Sequence, residues 1–167
     1  MARQIGRVAL GLAVLAVCVV LVESLAPARI VAQSSAPATY LTDAELMATL
    51  KDAAKTAPAM HTAPVKNADH YRINIVRRTT PQGAIAHPDG TEVHHIVEGG
   101  GTLVTGGSIV RPTASGGRGA AGATIDGGVS RHVAKGDVIL IPAGTPHWYK
   151  DLDGTITYLE VRFDLPK

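Results

Sequence analysis

The sequence of 167 residues is almost without cysteine, poor in aromatic residues and, over most of its length, without an excess of either charge. Its one cysteine, Cys18, lies in an apolar stretch near the start. The chain beyond that stretch can form no disulfide, so packing alone must hold it together. Aromatic residues make up 4%, too few for the stacking platforms that hold single-stranded nucleic acids. The formal net charge of +2 arises at the N-terminus, where Arg3, Arg7 and Arg29 face only Glu23; beyond residue 32 the 16 basic residues fall to 13 and the 14 acidic ones to 13. A neutral domain offers no footprint for a phosphate backbone, and nucleic acid is set aside as a partner.

The one long apolar run extends from Val8 to Val22. At a rise of about 1.5 Å per residue it spans about 22 Å, short of a hydrocarbon core of roughly 30 Å. Basic residues precede it, and Glu23 and then small residues come after it, the order of a cleavable secretory signal peptide. The signal is assigned to residues 1–32, with cleavage after Ala32. An uncleaved anchor and a lipoprotein at Cys18 are the alternatives, and bulky Val17 stands against the second. The mature chain is then exported, periplasmic or secreted, and carries no membrane segment.

Residues 33–69 read as an N-terminal extension with one helix. Thr42 and Glu45 form a capping box. Leu46, Met47, Leu50, Ala53, Ala54 and Ala57 recur at helical spacing, and Pro58 stops the run. The helix is expected to pack on the outside of a strand-rich domain. From residue 70 to 167 the period falls to two. Tyr71, Ile73 and Ile75 alternate with Arg72 and Asn74, and Glu92–Val97, Val138–Ile141 and Thr155–Phe163 read as further strands. Pairs and triplets of glycine, among them Gly99-Gly100-Gly101, and the pair Asp153-Gly154 read as the turns between them. Many short strands at this spacing predict an all-β sandwich or barrel. Residues 111–128 are rich in Gly, Ala and Ser. Their Gly117-x-Gly119-x-x-Gly122 match to a dinucleotide-binding loop lacks the strand, the helix and the acidic residue that make such a loop work, and the stretch reads as a surface loop.

One segment is more specific. Gly136, Pro142, Gly144 and His147 stand at the spacing Gly-x5-Pro-x-Gly-x2-His, with Gly136 turning into an apolar strand and Pro142–Gly144 turning out of it. This resembles the second motif of the cupin superfamily. The first cupin motif, His-x-His-x4-Glu-x6-Gly, is matched over residues 85–99 by His87, Glu92 and Gly99, with Ile85 at the first histidine position. The resemblance covers about residues 70–163. It implies a single double-stranded β-helix, a jelly-roll barrel, and a homodimer.

In cupins the two motifs supply metal ligands, so the resemblance gives His87, Glu92 and His147 that role. Side chains two apart on a strand share a face, so His94 can join Glu92 inside while His95 points out. The candidate set is therefore His87, Glu92, His94 and His147. Imidazoles with one carboxylate suit one divalent transition metal, Fe, Mn, Zn or Ni. Two readings stand: a metal-binding cupin that binds or transforms a small organic molecule, for example as a dioxygenase, isomerase or lyase, or a metal-free binding module in which Ile85 forms part of an apolar wall. Tyr149 and Trp148 are assigned to the core, and His132 to an exposed strand or the barrel mouth.

Overall fold

The computed structural model describes residues 37–112 and 122–164. The expected signal segment with its expected cleavage point, and most of the glycine-rich loop, residues 113–121, lie outside the described residues. Among the described residues one helix and eight strands occur in the order α1 (Asp43–Ala53), β1 (Met60–Asn67), β2 (Tyr71–Arg78), β3 (Gly90–Thr105), β4 (Ser108–Val110), β5 (Thr124–Asp126), β6 (Val129–Ala134), β7 (Val138–Ile141) and β8 (His147–Asp164). The strands pair antiparallel in the order β1-β2-β8-β3-β6, with β7 also on β3 and β4-β5 as a separate pair. This is the all-β, cupin-type jelly-roll barrel with a short preceding helix that the motifs imply.

The helix starts as its sequence dictates. The Thr42 hydroxyl accepts from the Glu45 amide at 3.2 Å, and the Glu45 carboxylate accepts from the Thr42 amide at 2.7 Å. It ends at Ala53, before the expected stop at Pro58. Removing the cap in a Thr42→Ala variant is expected to lower stability by about 1 kcal/mol in urea unfolding.

Two long strands, β3 and β8, build the barrel by running against each other over almost their whole length. The Gly99–Gly101 and Asp153-Gly154 signals, expected as turns, lie inside them. The reason is close approach rather than chain reversal. Gly99 has φ +73°, and a Cβ there would sit 1.9 Å from the Thr155 carbonyl oxygen. The register shifts on either side of Gly99, between Ile96 and Glu98 and between Gly99 and Gly101, so β3 bends there. Before the bend Glu92–His95 pair with β7; after it Gly100–Thr105 pair with β6. Glycines inside strands mark such bulges.

A further difference is β1, a strand inside the segment read as an extension with one helix. It pairs with β2 at the end of the strand order, where a proline in the run, Pro64, can be tolerated. The alternation along β2 has its apolar face outward: Ile75 packs with Leu50 of α1 and Ala63 of β1. Its neighbour Val76 faces the interior with Ile96, Leu103, Tyr149, Ile156 and Tyr158. The polar face of β2, with Arg72, Asn74 and Arg78, therefore lines the inside of the barrel.

Candidate metal centre

Strand β3 delivers two side chains to the interior. Glu92 and His94 are each 1% exposed, whereas His95 between buried neighbours is exposed, as strand alternation requires. His147 begins β8 just after the turn in which the Thr145 amide donates to the Pro142 carbonyl. Backbone bonds in both directions tie His147 to Ile85, and the Gly144 amide donates to the His87 carbonyl. The two loops bearing His87 and His147 are thus laced together, and Ile85 lines the cavity where a first-motif histidine would stand.

The three histidine candidates all approach the Glu92 carboxylate. His87 Nε2 lies 3.2 Å from Oε1, His94 Nε2 3.3 Å from Oε2 and His147 Nε2 3.4 Å from Oε2. They do not form one tight group of four. His87, Glu92 and His147 converge within 4.8 Å as one triplet, and Glu92 and His94 form a second with Glu160. Glu92 is the hub of both.

The far ring nitrogens fix how these groups face the centre. His147 Nδ1 is 3.1 Å from the Thr145 carbonyl, which can only accept, so Nδ1 carries the proton and Nε2 a lone pair. Burial lowers the pKa of His147 from its usual 6.5, although Glu92 and the Thr145 carbonyl pull the other way. The ring is therefore neutral at neutral pH. His94 Nδ1 is 3.0 Å from the hydroxyl of Tyr149, a residue assigned by default to the core. Burial raises the pKa of Tyr149, so that hydroxyl keeps its proton. Its neighbour Trp148 turns away and donates to the Gln82 carbonyl at 2.7 Å.

Arg162, unnoticed in the sequence, completes the centre. It stands opposite Glu92 in the β3–β8 register. Its Nε donates to Glu92 Oε1 at 2.7 Å, its Nη2 pairs with the same oxygen at 2.6 Å, and Nη2 also lies 3.0 Å from His87 Nε2 and 3.4 Å from Glu160. Asn74 donates to the same Glu160 oxygen at 3.1 Å. Burial favours the neutral acid at Glu92 more than any other influence. The contact with His94 and the charges of His147, His87 and Arg162 together outweigh it, and hold the carboxyl at about 2. Glu92 is thus ionised above that pH, and its contribution to stability is lost only as pH falls from about 4.5 towards 2.

With Oε1 satisfied by Arg162, two buried atoms of the described residues, Glu92 Oε2 and His94 Nε2, stand 3.3 Å apart with no hydrogen-bond partner. Leaving such groups orphaned costs free energy. An anionic oxygen and two imidazole nitrogens set around it suit a cation held between them. The residues present therefore fit a divalent metal. Signals for the missed partners existed: Glu160 and Arg162 share the inner face of β8, two residues apart, but nothing in the sequence gives the register that brings them to Glu92.

His132 lies on β6, 62% exposed at the side chain and paired with Asp153, far from this chemistry. His61, unassigned from the sequence, is buried in β1 with its ring 2.9 Å from the Pro58 carbonyl.

No family model and no curated protein matches the chain by sequence. Solved structures resemble its fold. The EutQ protein of Clostridium difficile matches at TM-score 0.43 and 11% identity over 64% of this chain and 63% of its own. An iron(II) form of HppE matches at 0.49 and 12% over 63% and 51%, and the cupin domain of Schizosaccharomyces pombe Cnp3 at 0.42 and 9% over 63% and 64%. The chain thus spans less than two thirds of the length of each.

Proposed function

We propose that this chain is an exported, metal-dependent cupin that binds or transforms a small organic molecule. The observation that carries the reading is the buried, unpartnered pair Glu92 Oε2 and His94 Nε2. His87, Glu92, His94 and His147 would hold one divalent transition metal, Fe, Mn, Zn or Ni, with Glu160 beside His94. Such an ion, when bound, polarises an oxygen of a ligand or activates water or oxygen. The chain's own part is to fix the imidazole orientations through Thr145 and Tyr149, and to hold Glu92 ionised through Arg162. The cavity above these residues has a volume of about 270 Å³, room for a small metabolite only.

A metal-free binding module is the second reading. Ile85 in the cavity wall and the Arg162 guanidinium on Glu92 and His87 favour it, because the protein then supplies its own cation. A homodimer is proposed as well: Val138 and Leu140 of β7 are 66% and 65% exposed, an apolar face beside β3.

Elemental analysis of the purified protein, supplied with each of the four metals, separates the readings. Close to one metal per chain, removed by chelator, is expected. Retention should also fall on acidification below the usual histidine value of 6.5, from which burial lowers His147, as its Nε2 takes up the proton that competes with the ion. Absence of metal after loading at about pH 7.5 would leave the metal-free module.

A further inference from the structure

The inner wall of the barrel carries three arginines, and two of them are neutralised. Arg72 pairs with Asp164 at 2.9 Å. Arg162 pairs with Glu92 and Glu160. Arg78 differs. Its Nε donates to the Tyr158 hydroxyl at 3.0 Å, and its guanidinium carbon lies 5.2 Å from the ring centroid of Tyr149 and 5.8 Å from that of Tyr158. Among the described residues no carboxylate comes within ion-pair distance of it. It is half-buried on the polar face of β2 and lines the same cavity as His94 and His147.

An arginine is never uncharged in a protein, and a partly desolvated guanidinium without a counter-ion is costly. The Tyr158 hydroxyl takes the Nε edge and both tyrosine rings lie near the guanidinium carbon, while among the described residues no hydrogen bond engages the two terminal nitrogens. A planar fork of N–H donors matches the two oxygens of a carboxylate. The tyrosines that seat Arg78 also seat His94: its ring centroid lies 4.5 Å from that of Tyr158, and its Nδ1 meets the Tyr149 hydroxyl. An anion on Arg78 is thereby set beside the histidine nitrogens of the candidate centre. The cavity of about 270 Å³ suits a small ligand.

We propose that the ligand of this cavity is a small carboxylic acid, anchored through its carboxylate on Arg78 with its other end towards Glu92, His94 and His147. This deepens the reading of the cavity as a small-molecule site, and rests on it, but Arg78 can bind its anion whether or not a metal is present.

Isothermal titration of the purified protein with pyruvate, glycolate and succinate, against pyruvamide, glycolamide and succinamide, tests this. Each series is run with the metal loaded and again in chelator. At least one acid is expected to bind, with its amide roughly tenfold or more weaker, and Arg78→Gln should weaken the acid roughly ten- to hundredfold while leaving the amide unchanged. Arg78→Lys, which keeps the charge but not the fork, should retain part of the affinity. Equal binding of acids and amides, no binding of any acid in either state, or unchanged acid affinity in folded Arg78→Gln would overturn the proposal. The ligand comparison needs no variant, so it stands even if a variant fails to fold. Carboxylate selectivity in a protein that never holds metal would remove the metal reading and keep this one; stoichiometric metal with no selectivity for carboxylate would do the reverse.

Discussion

Glu92→Ala is expected to lose bound metal altogether and to destabilise the fold by about 3–5 kcal/mol in urea unfolding at pH 7. The carboxylate is 1% exposed, takes a hydrogen bond from Arg162 Nε and forms an ion pair with its Nη2. Removing it strands a guanidinium that is 14% exposed beside the His87 imidazole, with Glu160 at 3.4 Å as its remaining acid. The stability loss should shrink as pH falls towards 2, where Glu92 is protonated in the wild type as well. Glu92→Gln should separate the two roles. It keeps the shape and an acceptor for Arg162 but loses the charge, so metal is expected to be lost with a smaller loss of stability. A Glu92→Ala protein as stable as wild type in chelator would show that the Arg162 contact contributes little to folding. Undiminished metal content in either variant would remove Glu92 from the proposed ligands.

Gly99→Ala is expected to be at least as damaging, though it touches neither ligand nor cavity. The added methyl would meet the Thr155 carbonyl at 1.9 Å, on backbone with φ +73°. Strain of this kind costs of order 1–3 kcal/mol before any clash is counted, and the neighbour is backbone in a paired strand, which cannot swing aside. A loss above about 3 kcal/mol, or failure to fold, is the expected result. Gly106→Ala is the control. Gly106 has a similar φ of +77° with nothing within 4 Å of a built Cβ, so the variant should lose only about 1–2 kcal/mol. Equal losses in the two variants, read from urea midpoints, would mean that backbone strain rather than the β3–β8 contact sets the requirement for glycine.

The two variants mark where the sequence was readable. Gly99 and Glu92 were legible together because a motif of fixed spacing places them: one strand, two residues with an absolute requirement, one for space and one for charge. The same holds for the Gly136–His147 segment and for the Thr42–Glu45 cap, whose bonds are local in the chain. The role of Gly99 was less clear. A glycine triplet signals a special backbone, and only the partner strand decides whether that means a reversal or a bend in a continuing strand.

Arg78, Glu160 and Arg162 were not legible, and the reason is the same for all three. Alternation along β2 and β8 separates two faces but does not say which is inside. In most half-buried strands the apolar face is inward, yet here α1 covers the apolar face of β2 from outside through Leu50 and Ile75. The polar face is left for the cavity. The barrel, its helix and the inward histidines and glutamate could be read from the letters, because strand period, capping and motif spacing are local properties. That Arg162 meets Glu92, that His94 stands with Glu160, and that Arg78 faces the cavity without a counter-ion emerged only once the strands were assembled. Those placements depend on strand register and on which face a helix covers, which are set by contacts between residues some 70 to 90 positions apart.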